Sequence, residues 1–277
     1  MFRETAPTSP SLGGRGISVV LPAHNEEAVI AAVVANCVEV LARIVDDFEV
    51  IVVDDGSVDR TGEIADGAAA ADPRVRVVHT VTNRGYGGAL RAGFDAAGKP
   101  LVFFMDSDGQ FDIGDIAHLV PMAAAGNPAV IGYREHRQDP PLRLVNAWAW
   151  NRLVRSLFHF RVRDIDCAFK LYDTSLVRSL DVQASGAMIN TEMLAKVFRL
   201  GIVPAEVPVR HFPRLHGQPT GANLGVIVKA FGELRRLHRY LLQWTPLTSS
   251  LEPGTTEDEV TLVGVLVIQP RSTLSAV

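Results

Sequence analysis

Short apolar runs alternate along this chain with stretches in which apolar residues recur at every third or fourth position. Ile17-Ser-Val-Val-Leu21 has strand length and ends at Pro22, and residues 28–45 follow with helical spacing. Residues 48–53 form a second run, closed by Asp54-Asp55-Gly56-Ser57. Asp59 and Thr61 then cap a predicted helix that continues to Ala71. A third strand is predicted over 75–79. Asn83-Arg-Gly-Tyr-Gly-Gly88 reads as a turn opening a helix over 89–97, and residues 100–105 make a fourth strand that delivers Asp106. Strands alternating with helices predict an α/β fold with a parallel sheet and right-handed crossovers. Residues 204–209 read as a final edge strand.

At 277 residues the chain has ample length for a core, and 47% apolar with 21% charged residues is an ordinary globular composition. A net charge of −4 argues against a general nucleic-acid binder. Cys37 and Cys167 lie far apart and suggest neither a disulfide framework nor a zinc site, which fits a reducing compartment. Residues 1–15 read as a disordered leader without the apolar stretch of a signal peptide, 16–244 as the folded domain, and the Thr/Ser/Pro/Glu-rich 245–277 as a loosely ordered tail. No run reaches the ~18 apolar residues that span a bilayer. The expected location is cytoplasmic, on the membrane face or in solution.

Asp106-Ser107-Asp108 is the first candidate for chemistry. Two carboxylates at a strand tip repel unless a cation, commonly Mg2+ or Mn2+, sits between them, and such an ion takes its remaining ligands from water and substrate phosphates. The same triplet also reads as an acidic turn before a helix, since Asp112 and Asp115 follow. Pro22–Glu26, Asp54–Ser57 and Asp106–Gln110 all follow predicted parallel strands, so they converge on the sheet edge where α/β folds bind ligands. A dinucleotide fingerprint is absent: no Gly follows the first strand, and Gly85-x-Gly87 meets Leu at position 90. Those glycines serve either close helix packing or space for a ligand.

Pro22-Ala-His-Asn-Glu26, Val53-Asp-Asp-Gly-Ser57, Asn83-Arg-Gly-Tyr-Gly-Gly88 and Asp106-Ser-Asp-Gly-Gln110 together resemble the family 2 glycosyltransferases of GT-A fold. Within that family the chain is most similar to dolichyl- or polyprenyl-phosphate mannose and glucose synthases, over residues 17–244. The resemblance implies a mostly parallel central sheet flanked by helices. It implies that Pro22, His24, Glu26 and Val53 line the nucleoside site, that Asp54 and Asp55 contact base and ribose, and that Asp106 and Asp108, with Ser107 and Gln110 beside them, hold Mg2+ or Mn2+ and the donor diphosphate. Arg134 matches a basic residue near the donor phosphates, Asp164 to Lys170 a segment near the acceptor, and Arg214 a late arginine that closes on the diphosphate. His24 stands where an aromatic is usual, and Gln218-Pro219-Thr220 replaces the usual Ser-Lys pair.

The implied reaction moves a sugar from a UDP- or GDP-sugar with inversion, cations offsetting the charge that grows on the leaving diphosphate. A hydroxyl acceptor needs a base, for which Asp166, Asp164 and Glu192 are candidates. A polyprenyl or dolichyl phosphate needs no base but needs cations, and Arg161, Arg163 and Lys170 cluster near Asp164; a solvated basic loop would look the same. Residues 142–160 and 222–244 form basic amphipathic patterns bearing Trp148, Trp150 and Trp244, suited either to a bilayer interface or to packing on the sheet. His211, His216 and His238 fit no helical pair and are not read as a metal site. An integral membrane protein is a conceivable partner, nucleic acid is not. A non-catalytic nucleotide-sugar-binding protein is the alternative of another class.

Overall fold

The computed structural model describes residues 12–135, 141–213 and 224–245. In chain order it contains β1 (Ile17–Ala23), α1 (Ile30–Ile44), β2 (Phe48–Asp54), α2 (Thr61–Ala71), β3 (Val75–His79), α3 (Tyr86–Ala96) and β4 (Leu101–Met105). A 3-10 turn (Ile113–Asp115) precedes α4 (Ile116–Ala124), β5 (Ala129–Arg134), α5 (Pro141–Phe158) and β6 (Phe169–Asp173). There follow α6 (Thr174–Ser179), α7 (Met188–Arg199), β7 (Ala205–Val209) and α8 (Leu224–Gln243).

Seven strands form one sheet in the order β3-β2-β1-β4-β6-β5-β7. β1, β2, β3 and β4 are mutually parallel, β5 is parallel to β7, and β6 runs antiparallel to both its neighbours. Every residue of β1, β2 and β4 is buried, as expected for central strands covered on both faces. Helices supply that cover. In α1 the buried residues are Ile30, Val34, Cys37 and Leu41, one stripe at helical spacing. On the other face α3 lies so close to β1 that a Cβ added at Gly93 would sit 2.2 Å from Val20 Cγ1.

Strand order reverses between β1 and β4, which neighbour each other although β2, β3 and three helices intervene in sequence. The carboxyl ends of such a pair leave a crevice between the diverging loops, the usual ligand position in open α/β sheets. Pro22 and Ala23 end β1, and Asp106 follows β4 directly. Among these elements, α3 begins at Tyr86, three residues before the predicted start. Its early N–H groups find a tertiary acceptor: Gly87 and Gly88 donate to Ser185 O at 2.8 and 3.3 Å. A Cβ at Gly87 would lie 2.3 Å from Ala184 O, so this glycine permits close packing, one of the two readings left open.

The end of the predicted leader is also corrected. Leu12 is buried, and Arg15 pairs with Asp173 Oδ1 at 3.2 Å and donates to Ala123 O, so residues 12–15 pack on the domain. Residues 1–11 and the tail from 246 lie outside the described residues.

Candidate active site

Loops from β1, β2 and β4 are stitched together by short hydrogen bonds. Ser107 Oγ donates to Pro22 O at 2.6 Å, joining the acidic triplet to the end of β1. Asp55 N–H donates to Ala23 O at 2.8 Å, and Asp55 Oδ1 accepts Thr80 Oγ1 at 2.9 Å and Arg84 N–H at 2.8 Å. His24 places Nδ1 2.9 Å from the Asp55 carbonyl, so that nitrogen carries the proton and donates, leaving an exposed ring of fixed orientation. Glu26 N–H donates to Thr61 Oγ1 at 2.8 Å. Gly56, at φ +65, backs onto Asn83 N so closely that a Cβ would come within 2.8 Å.

Asp54 departs from its expected role. Its Oδ1 accepts Ser57 N–H at 3.1 Å and its Oδ2 lies 3.0 Å from His79 Nδ1, under α2 at Gly62. Burial raises its pKa, but the Ser57 and His79 bonds outweigh that and hold the carboxyl below its ordinary value. Both oxygens are engaged by the protein, so Asp54 supports the loop from beneath.

In the acidic triplet, Asp108 Oδ1 accepts Gln110 N–H at 3.0 Å, a turn eased by Gly109 at φ +77. Asp106 Oδ1 is buried without a hydrogen-bond partner, and the buried Tyr86 hydroxyl lies close enough to favour the ionised carboxylate. Burial first, and the neighbouring Asp108 second, push the Asp106 carboxyl up to about 7. An orphaned carboxylate oxygen beside a second carboxylate is the donor set that suits a hard divalent cation, which takes its other ligands from water and phosphate. The residues present therefore fit Mg2+ or Mn2+. Among the described residues no cluster of three or more His, Cys, Asp or Glu forms a cage of its own. Gln110, expected beside the metal, uses its amide Nε2 to donate to Phe212 O at 2.9 Å, and Phe212 N–H returns to Gln110 O at 2.8 Å. The loop after the acidic triplet is thus tied to the segment preceding Arg214, which itself lies outside the described residues.

Three further expectations need correction. Arg134 gives its guanidinium fork to Asp164, with Nε–Oδ2 at 2.6 Å and Nη2–Oδ1 at 2.9 Å, both side chains nearly buried. Burial disfavours its charge, and the Asp164 pair more than offsets that. Its field still reaches Asp106 and favours the ionised carboxylate there, but the fork itself is occupied. Lys170 is fully buried on β6, its Nζ donating to Ile165 O, Cys167 O and Asn190 Oδ1. An ammonium has three donors, and all three are taken, so Lys170 cannot grip an external phosphate. Glu192 is fully buried and accepts Gln183 and Ala184 N–H and Lys196 Nζ at 2.6 Å, which leaves it no path to substrate. Arg161 and Arg163 are exposed, Arg163 stacking over Tyr133 at 4.5 Å, and Asp166 is half-buried.

Tyr86 and Arg210 escaped the sequence reading. Arg210 holds the 3-10 turn after the triplet through Asp115 at 2.7 Å and Asp112 at 2.7 Å. The signal for it was an arginine directly after the edge strand, facing two acids downstream of the triplet. Tyr86 reads only as part of the Asn83–Gly88 motif, with no role of its own, since its value lies in a tertiary contact.

A sequence profile for glycosyl transferase family 2 matches residues 18–186, which contain the loops after β1, β2 and β4. The chain belongs to that family. It is a glycosyltransferase. It is 38% identical over 221 residues to glycosyltransferase AglD of Haloferax volcanii, covering 76% of this chain and 35% of that protein. It is 30% identical over 204 residues to the undecaprenyl-phosphate 4-deoxy-4-formamido-L-arabinose transferase of Shewanella sediminis (73% and 60%). Polyprenol monophosphomannose synthase of Mycolicibacterium smegmatis is 29% identical over 224 residues (74% and 82%). The chain thus spans about a third to three fifths of the length of the first two relatives. Glucosyl-3-phosphoglycerate synthase from Mycobacterium tuberculosis, solved with Mn2+, uridine diphosphate and phosphoglyceric acid, aligns with TM-score 0.60 at 25% identity, over 87% of this chain and 84% of that one.

Proposed function

We propose that this glycosyltransferase moves a sugar from a UDP- or GDP-sugar to a polyprenyl or dolichyl phosphate, with inversion and with Mg2+ or Mn2+. The observation that carries the donor half is the orphaned Asp106 Oδ1 beside Asp108 at the β1–β4 crevice. A divalent cation held by Asp106 and Asp108 supplies positive charge to the diphosphate as the glycosidic bond breaks. On this reading His24 offers its exposed ring face to the nucleobase and Asp55 faces the ribose, while Pro22, Glu26, Val53 and Ser107 shape the pocket. Gln110 ties the loop of the acidic pair to Phe212. The solved relative that binds Mn2+ and uridine diphosphate supports this reading.

The acceptor half follows from the carboxylates. Asp164 is ion-paired with Arg134 and Glu192 with Lys196, so two of three candidate bases cannot take a proton from a hydroxyl. A lipid phosphate arrives already anionic and needs none, and relatives named for undecaprenyl phosphate and polyprenol substrates support it. Arg161 and Arg163, exposed and adjacent to that segment in sequence, are the cations this reading assigns to the phosphate. A hydroxyl acceptor remains the second reading because Asp166 is half-buried and could serve as its base.

No helix among the described residues is long and apolar enough to cross a membrane. On α8 the apolar stripe Leu234, Leu237 and Leu241 packs inward, as most amphipathic helices do, so the stripe itself is not the membrane face. Its outer side bears exposed Leu242 with Arg235, Arg236 and Arg239 around a groove of about 780 Å³. Three arginines near an anionic leaflet contribute roughly 1 kcal/mol each, enough to hold the protein peripherally beside its lipid. The deciding experiment incubates purified protein with short-chain polyprenyl phosphate, radiolabelled UDP- and GDP-sugars and Mg2+ or Mn2+. Label enters the organic phase with wild type and not with Asp108→Ala. Donor consumption with all label left in water would refute the lipid acceptor.

A further inference from the structure

His79 ends β3 with a carboxylate at each ring nitrogen: Nδ1 lies 3.0 Å from Asp54 Oδ2, and Nε2 lies 3.0 Å from Asp66 Oδ1. An ionised carboxylate only accepts, so both nitrogens donate, and an imidazole donating twice is the cation. Asp54 reaches the ring from β2 and Asp66 from α2; Glu63, one turn earlier on α2, is engaged with Arg60. The hydrogen bond from Asp66 first, and that from Asp54 second, raise the His79 pKa above its ordinary value.

The clamp connects to the loops of the site. The second oxygen of Asp54 accepts Ser57 N–H at 3.1 Å, Ser57 Oγ accepts Asn25 N–H at 3.0 Å, and Asn25 Oδ1 accepts Val58 N–H at 2.9 Å. Asn25 Nδ2 in turn lies 3.2 Å from His24 Nε2, which accepts from it. Asn25 sits at φ 57, in the left-handed region that Asn adopts more readily than other non-glycine residues.

We propose that His79 is a positioning residue whose imidazolium, clamped between Asp54 and Asp66, holds the Asn25 and Ser57 loops in the geometry that receives the donor nucleoside. The role toward the nucleoside rests on the donor reading above. A neutral ring donates to one carboxylate and turns a lone pair toward the other, so the clamp opens on one side. The loops are therefore held below the His79 pKa and loosen as pH rises through it. Nucleotide affinity weakens in the same direction.

The test is a pH titration of the full chain by NMR between about pH 5 and 9, with and without UDP or GDP and Mg2+. The His79 ring titrates above the ordinary histidine value, and the Asn25, Ser57 and Val58 amides shift with the same midpoint. In His79→Gln those amides stay flat. Wild-type nucleotide affinity falls about fivefold across the transition, and by reciprocity bound nucleotide raises the midpoint by about 0.7 of a pH unit; His79→Gln loses both effects. The wild-type titration alone decides between coupling and its absence, whether or not the variant folds. Asn25 and Ser57 amides unmoved while His79 titrates would overturn the proposal. Amides that move while neither nucleotide binds leave the loop coupling established and sink the donor reading instead.

Discussion

Glu192→Gln separates a carboxylate that does chemistry from one that holds the fold. Glu192 and Lys196 stand one helical turn apart on α7, both fully buried, with Oε1 and Nζ 2.6 Å apart. The carboxylate also accepts Gln183 N–H at 2.9 Å and Ala184 N–H at 2.7 Å, fixing the loop whose Ser185 carbonyl receives the first turn of α3. Lys196 Nζ lies 4.8 Å from the Tyr240 ring and 5.1 Å from the Trp244 ring, so the same pair seats the end of α8. An amide in place of the carboxylate keeps the shape but removes the counter-charge, and one of its atoms must present N–H to another donor. Removing one partner of a buried pair costs about 3–5 kcal/mol, chiefly because the remaining charge is stranded.

Against a typical total of about 5–15 kcal/mol, that is a large loss. At this size it corresponds to a drop in melting temperature of about 6–20 °C. Calorimetry or thermal circular dichroism reads it directly, and turnover measured well below the transition should stay near wild type per folded molecule. The companion Glu192→Leu/Lys196→Met removes both charges and should recover most of the loss, since apolar replacement of a whole buried pair is often neutral. A Glu192→Gln protein that melts with wild type yet fails to transfer sugar would refute this reasoning and make Glu192 a candidate base again.

Gly93→Ala should lower the melting temperature by about 2–12 °C, because its Cβ meets Val20 Cγ1 at 2.2 Å in the central strand and overpacking costs about 1–3 kcal/mol; stabilisation instead would mean that α3 and β1 do not touch there. Glu49 ties three strands together through Ser18 Oγ at 2.7 Å, Gly98 N–H at 2.6 Å and Arg76 at 2.8 Å. Burial raises its pKa, but the Ser18, Gly98 and Arg76 bonds outweigh that and leave it below the ordinary value. A depressed carboxyl stabilises above its unfolded pKa of about 4.3 and loses that contribution as pH falls through the lower folded value. Glu49→Gln should therefore cost about 1–3 kcal/mol in urea unfolding at neutral pH, with the gap to wild type closing in acid; a gap independent of pH would refute the argument.

The first half of the fold was legible because its strands are covered on both faces and read as unbroken apolar runs; Phe48–Asp54 and Val75–His79 fall within a residue of their predicted spans. β6 was not, because Lys170 interrupts its apolar pattern. The acceptors that permit a buried lysine are carbonyls of its own loop and Asn190, which no local pattern reveals. The start of α3 was misplaced for a related reason: two glycines that look like a turn are helical because a carbonyl from residue 185 meets them. Local chemistry announced the acidic loops. It could not say which acids and bases were already paired with one another.

That distinction decides the acceptor argument. From sequence, Arg134, Lys170, Asp164 and Glu192 all looked available to substrate. In the fold, Arg134 answers Asp164, Lys196 answers Glu192, and Lys170 is saturated by neutral acceptors. The interior charges of Arg134 and Lys170 nevertheless lower the cost of ionising Asp106, while burial and Asp108 raise it. The site therefore holds its acidic pair in balance with cations that never leave the protein, and an incoming phosphate must find its positive partners among the exposed residues. On the proposed reading the exposed Arg161 and Arg163 take that part, so replacing both should weaken capture of a lipid phosphate without touching donor binding. A loss of donor affinity in that double variant would show that the two arginines serve the diphosphate instead.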